Sequence, residues 1–444
     1  MQNIKNYGRD GLKVFQWLIF LLANGVAIPI VVGKIFHLPM NDITSLMQRT
    51  FFVVGISTFL QGYFGHRMPI IDGPAGTWLG VFVIMADMAV QKGLRLDDTL
   101  MVLEGGMFVA GLLLIVLGIA GVIKHILSFF TPLVTGCFLL LLSLQLSGVF
   151  IKGMMNVSGV SSRPDQSSFF ISFIVFLLII GLSIWGRGWM RNYALLIGIT
   201  IGWIVFYLAG KGIMPTLPHA LISIPHVFAW GTPYFDAGMA ISSILLAFMM
   251  VSNLVANISA MAHATSNQEF GQNAFSRGGI IGGVSQIVCS LFSIVGIVPL
   301  NSSVGFVRMT GESKMRPLLI ASLLLAVISL IPALIDFLSL LPSAVANAAM
   351  LATFVQSVGV AFQSIAKETL DERRLTILGI TLLFGVGAMF LPASIFQGMP
   401  SVVQYVFGNG LLVGTIIVIL LEKVWRKKDR KIAETIERNT FHVR

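Results

Sequence analysis

Stretch after stretch of this sequence runs for about 20 residues with almost no charge, as in FFISFIVFLLIIGLSIW at residues 169–185. A bilayer offers the backbone no hydrogen-bonding partners, so a segment crossing it must be a helix or a closed barrel strand. Barrel strands alternate apolar and polar residues over about ten positions, and this run does not alternate. Of the 444 residues, 56% are hydrophobic and 11% charged. Soluble domains carry roughly a quarter charged residues, so the chain lacks the polar surface to stay in water. It reads as an all-α polytopic membrane protein.

Apolar windows mark about fourteen segments. Seven fall in the first half, at 14–33, 46–64, 74–90, 100–121, 126–150, 169–186 and 192–210. Seven more follow, at 236–258, 279–299, 303–311, 317–338, 342–365, 375–391 and 401–424. Between them, PTLPHALISIPHVFAWG (215–231) is rich in proline and aromatics and suits the interface. Cys137 and Cys289 sit inside apolar runs and read as small packing residues, with no disulfide framework or metal cluster. The N-terminus carries no cleavable signal pattern.

With the N-terminus placed in the cytoplasm, 22 of the 29 Lys and Arg fall on that side and seven, among them Arg49, Lys92 and Lys211, on the other. That asymmetry follows the positive-inside rule and puts both termini in the cytoplasm. The net charge of +10 is therefore explained by topology, and the basic tail at 426–444 is read as a cytoplasmic anchor rather than a binder of nucleic acid.

Two segments are too short or interrupted: the third, which follows IIDGP and carries Asp87, and the tenth, SSVGFVRMTG, which carries Arg308. They hold corresponding places in the two sevens, and Pro132 and Pro342 likewise each open a fifth segment. An odd number of spans per half forces opposite orientations, and paired interruptions point to a transporter site between inverted repeats. A half-helix starting at mid-membrane exposes bare N–H groups and a positive dipole end, which a polar solute can satisfy.

Several residues then carry a resemblance. In FQWLIFLLANGVAIPIVVG, Gln16 and Pro29 match the opening helix of the nucleobase–ascorbate transporter family (the xanthine/uracil permease type), with Trp17 where the family has His. In RMPIIDGPAGTWLG, Pro69 and Gly73 match the family's third segment. PLNSSVGFVRMTG resembles the signature Glu-Asn-x-Gly-x-x-x-x-Thr: Gly305 and Thr310 match, while Ser302 and Ser303 replace Glu and Asn. In FMMVSNLVANISAM, Asn253 stands at the family's substrate-binding Glu and Asn257 at the Asp or His four residues on.

The chain is similar to a divergent member of this family. The resemblance implies two inverted sevens with core pieces at 14–125 and 236–338 and gate pieces at 126–212 and 342–425. It also implies nucleobase uptake coupled to protons or sodium, and a homodimer; no other cofactor and no enzyme activity are implied.

The expected substrate site comprises Asn253, Asn257, Ser302, Ser303, Ala75, Gly76, Thr77 and Trp17, with Trp78 nearby. Asn253 and Asn257 share a helix face, and an amide both donates and accepts; interhelical packing is the alternative. Ser302 and Ser303 either bind the substrate or cap the tenth segment. Asp72, beside the break, is the coupling candidate, because intramembrane acids are costly and tend to be functional; a shallow loop position beside Arg67 or His66 is the alternative. Asp87 and Glu104 are second choices. Arg308 reads as snorkelling to the interface. An anion carrier of the same architecture, as in the sulfate-permease-like relatives, is the rival function, and a non-transporting membrane scaffold the third.

Overall fold

The computed structural model describes residues 2–123, 131–157, 164–211, 221–265, 273–396 and 398–425. The tail at 426–444, the beginning of the expected interfacial segment (215–220) and most of the first residues assigned to the fifth span (126–130) lie outside the described residues.

The first span is built of α1 (Gln2–Gly25) and α2 (Ala27–Ile35). The junction falls four residues before Pro29, whose missing N–H and bulky ring disturb the bond to the Gly25 carbonyl. There follow α3 (Met40–Tyr63), β1 (Asp72–Pro74), α4 (Gly76–Lys92), α5 (Leu96–Ile119), α6 (Pro132–Met154), α7 (Gln166–Trp185) and α8 (Ala194–Phe206). The second half runs α9 (Ala237–Ala264), α10 (Asn273–Leu291), β2 (Ile297–Pro299), α11 (Ser302–Thr310), α12 (Met315–Ile328) and α13 (Pro332–Ser339). It ends with α14 (Ser343–Ile365), α15 (Glu372–Met389), α16 (Ser401–Phe407) and α17 (Gly410–Val424).

Local chemistry sets these starts. Thr131 caps α6 by accepting from the Val134 N–H, with Pro132 at the first helical position. Asp165, Asp236, Asp371 and Asn409 cap α7, α9, α15 and α17 in the same way.

Among the described residues, eight helical spans are long and apolar enough to cross a membrane, and a ninth is the α12–α13 pair, bent by 90°. The other expected segments are short or broken. The sequence placed the ninth segment at 279–299, and here the structure corrects it: helix α10 stops at Leu291, and 297–299 is strand β2. Apolar content alone does not separate a helix end from a buried strand.

The packing itself carries the repeat. If segment n of one half corresponds to segment n+7 of the other, each helix pair should have a mirror partner. The α3–α12 contact is mirrored by α10–α5, α1–α12 by α9–α5, and α7–α8 by α15–α17. Likewise α7–α14 is mirrored by α15–α6 and α8–α14 by α17–α6, while α6–α14 and β1–β2 pair across the pseudo-axis. These pairings set segments one to four against eight to eleven, and five to seven against twelve to fourteen.

Small residues permit the tightest of these approaches. A Cβ on Gly55 of α3 would stand 2.5 Å from the Ser322 carbonyl oxygen of α12, and one on Gly111 of α5 would stand 2.7 Å from that of Gly283 on α10.

Candidate functional site

Both interrupted segments share one design, a three-residue strand followed by a half-helix. β1 and β2 pair antiparallel, with Asp72 opposite Pro299, Gly73 opposite Val298 and Pro74 opposite Ile297. Further bonds extend the pairing. The Ala75 N–H donates to the Gly296 carbonyl (2.9 Å) and the Leu300 N–H to that of Ile71 (2.9 Å). The Ile71 N–H donates to Ser303 Oγ (3.0 Å), and Gln286 Nε2 donates to the Ile297 carbonyl. Unpaired backbone in this apolar setting would cost several kcal/mol per group, about 2–7, so the two breaks satisfy each other. Segments three and ten are thus broken and adjacent, as expected.

The half-helix ends differ in a way the sequence did not reveal. Neither α4 nor α11 has a side-chain cap. At α11 the Ser303 and Val304 N–H groups turn back onto the Leu300 and Asn301 carbonyls. At α4, the N–H groups of Gly76 and Thr77 have no partner among the described residues, and Thr77 Oγ1 is buried without one. The stronger anion-favouring end is therefore that of α4.

Beside β2, Asn253 and Asn257 lie on α9. Asn257 is buried, and its Nδ2 donates to the carbonyl of Asn253 (3.0 Å), to Asn253 Oδ1 (2.9 Å) and to the Pro299 carbonyl (3.0 Å). It thereby joins α9 to β2. Asn253 is half-buried, while Ser302 is exposed, as are its neighbours Asn301 and Gly305. Ser302 Oγ bonds Asn24 Oδ1 of α1 at 3.3 Å. A polar face formed by Asn253, Asn301 and Ser302 is thus reachable, with open space beside Gly305.

Other expected residues hold this face from behind. Trp17 is fully buried, its ring 4.4 Å from that of Phe306, which also stacks on Phe20 at 4.6 Å. Ala75 and Ser303 are fully buried, and Ser303 Oγ is engaged by Ile71. In this conformation these three have no surface open to a ligand. Gly76 is half-buried under Phe354 of α14, whose ring tip would lie 2.7 Å from a Cβ at that position. Trp78 is buried with Nε1 unpartnered.

Asp72 is buried. Its Oδ2 accepts from Ser57 Oγ (2.6 Å), its backbone N–H donates to Thr58 Oγ1 (3.1 Å), and its Oδ1 has no partner. Arg67 is exposed and bonds the Tyr63 carbonyl instead. A cavity of about 20 Å³ lies against Asp72, lined by Gln61, Ser285, Gly278 and β2 among others, which is room for one water. Ser57, Thr58, Gln61 and Ser285 were missed in the sequence. The available signal was Ser57 and Gln61, four apart on one face of α3.

Arg49, counted on the outer side, is buried inside α3, where its Nη1 donates to the carbonyls of Phe292 (2.9 Å) and Ser293 (2.7 Å). Glu104 is fully buried on α5, Asp87 is exposed on α4, and Arg308 is exposed near the end of α11.

Comparison with known proteins agrees with this architecture. The chain is 32% identical over 94% of its length, and 96% of the relative's, to a Bacillus subtilis (strain 168) protein named "Putative purine permease YwdJ". It is 24% identical over 98% of its length, and 99% of the relative's, to the xanthine permease of the same organism. Among solved structures, the transmembrane domain of a cyanobacterium bicarbonate transporter, BicA, superposes with a TM-score of 0.54 at 15% identity, covering 91% of this chain and 97% of that one. That likeness concerns the fold of two inverted sevens. The family model Xan_ur_permease, described as a permease family, matches residues 12–394. With an interrupted third and tenth segment paired through β1 and β2 and a family match over most of its length, this chain is a multi-pass membrane protein that belongs to that permease family and is a transporter.

Proposed function

We propose that this permease is a secondary transporter of nucleobases, purines ahead of uracil, working by alternating access. The single observation that carries the reading is the antiparallel β1–β2 pair, which sets the starts of α4 and α11 at its two ends, with Asn257, bonded to Asn253, at the Pro299 end. Such a site suits a flat polar solute with hydrogen-bonding edges, and the names of the relatives, a purine permease and a xanthine permease, favour the same class.

In this proposal segments one to four and eight to eleven form a core that carries the site, and the remaining segments form a gate. The contacts of α2 with α14, of α9 with α16, of Phe354 with Gly76 and of Lys92 with Gln404 join the two. With both termini in the cytoplasm, as the positive-inside rule favours, Lys92 and Gln404 lie on the outer side, so the conformation described is closed outward. Asp72 is the proposed coupling group for H⁺ or Na⁺: its free Oδ1 faces a water-sized cavity behind the strands. Asn253, Thr77 and Ser302 are the proposed substrate contacts, with Asn257, Trp17, Ala75, Gly76 and Ser303 positioning them. A homodimer is part of the same reading.

The test is labelled uptake in a nucleobase-transport-deficient cell, with xanthine, urate and uracil set against sulfate and bicarbonate. Uptake of a nucleobase, lost in Asn253→Ala at equal surface expression, is the expected result. Uptake of an anion alone would assign the chain to the rival function, which bare half-helix ends also suit.

A further inference from the structure

We infer that Asn257 fixes the polarity of the Asn253 amide, so that α9 offers the substrate an N–H donor and selects flat heterocycles through a carbonyl oxygen. The inference rests on the proposal that Asn253 meets a nucleobase. It begins with two backbone carbonyls, those of Asn253 and Pro299, which lie 3.0 Å from the same atom of the Asn257 side chain. Carbonyl oxygens only accept, so that atom must be the nitrogen. The Asn253 side-chain atom 2.9 Å from it must then accept as well, which makes it Oδ1. Asn253 Nδ2 is left facing away from Asn257, and no hydrogen bond engages it among the described residues. The backbone thus determines the orientation of one amide, and that amide determines the next.

The start of α4, beyond the other end of the strand pair, points the same way. The unpartnered Gly76 and Thr77 N–H groups at the start of α4 are donors. Ser302 and Thr77 carry hydroxyls that adapt to either role. The buried acid nearest the strands, Asp72, is turned onto Ser57 of α3. An ionised glutamate at position 253, the residue the family resemblance leads one to expect, would offer only acceptors and would seek ring N–H groups instead. Exchange of Glu for Asn therefore inverts what this wall of the site asks of its ligand. Purines with carbonyl groups satisfy a donor wall, whereas an amino group at the same edge leaves two donors facing each other.

The experiment measures wild-type uptake of labelled xanthine with adenine as competitor, then repeats it in Asn257→Asp and Asn253→Asp. In the first variant the new carboxylate accepts from Asn253 Nδ2 and turns Oδ1 to the substrate; in the second, one carboxylate oxygen still meets Asn257 and the other faces the substrate. Wild type is expected to prefer xanthine by about tenfold or more. Both variants should shift the xanthine-to-adenine ratio toward adenine by about tenfold or more. Asn253→Asp preserves the bond from Asn257 to Pro299, so it decides the matter should Asn257→Asp fail to fold. Equal loss for both purines, with the ratio unchanged within about twofold, would reduce Asn257 to a packing role and overturn the inference. Transport of no nucleobase by the wild type, urate and uracil included, would overturn the proposed function itself, and the inference with it.

Discussion

Gly296 holds the two breaks together, and replacing it by alanine tests how tightly. Its carbonyl accepts from the Ala75 N–H just before α4 begins. A Cβ at this position would stand closer than 3.0 Å to Cδ1 and Nε1 of Trp78 and to Gln286 Oε1. Trp78 and Gln286 are both fully buried, so the indole has nowhere to swing. Gln286 can yield only by disturbing its bond to the Ile297 carbonyl. Overpacking a close-fitted core costs about 1–3 kcal/mol, and releasing that bond about 1 more. The expected loss for Gly296→Ala is therefore about 2–4 kcal/mol, measured by reversible unfolding in mixed detergent micelles. Uptake should fall further than surface expression, because α4 is displaced as well. Trp78→Phe removes the offending five-membered ring, so the double variant should recover at least about 1 kcal/mol relative to the sum of the singles. Wild-type stability in Gly296→Ala, or strict additivity with Trp78→Phe, would refute the close packing of β2 against α4.

Three further outcomes follow from the site and its surroundings. Asp72→Asn should abolish pH-dependent or sodium-dependent accumulation while allowing exchange of substrate between equal pools, as read by counterflow in proteoliposomes; unchanged ion dependence would remove Asp72 from coupling. Thr77→Val should weaken substrate binding by about tenfold without lowering thermal stability, since Oγ1 has no partner within the protein; a fall in melting temperature with unchanged affinity would contradict this. Lys211, then Ser168 and Ser167, hold the Asp165 carboxyl well below the usual carboxylate range. A depressed value in the folded state stabilises above the unfolded pKa of about 4, and that stabilisation is lost as the pH falls below it. Asp165→Asn should accordingly melt below wild type at pH 7, with the difference shrinking below pH of about 4.

How much of this was legible in the sequence depends on which physical effect governed each feature. Hydrophobic length fixed the spans, because the bilayer imposes it regardless of neighbours. The breaks at 72–76 and 297–302 were legible as interruptions, yet β2 was read as the end of the ninth segment. Ile297, Val298 and Pro299 are as apolar as the helix before them, and their strand character comes from pairing with β1, which no local pattern encodes. Arg49 lies within the expected second segment, 46–64, and was counted on the outer side. Its burial depends on the Phe292 and Ser293 carbonyls, 243 and 244 residues away in sequence. Asn253 and Asn257 were found by spacing and resemblance, but the direction of their amides depends on Pro299, brought in by the tertiary fold. Trp17, Ala75 and Ser303 were expected to touch the substrate, while their burial reflects packing by Phe306 and Ile71 that the sequence does not show.

Substrate protection of a single cysteine tests the central claim most directly. Cys137 and Cys289 are buried, so alkylation of Ser302→Cys at the exposed start of α11 can be followed against a low background. Saturating xanthine should slow that reaction markedly and leave Leu94→Cys, on the exposed turn after α4, unaffected. Equal rates at position 302 with and without xanthine, in a variant that still transports it, would place the cargo away from the paired half-helices.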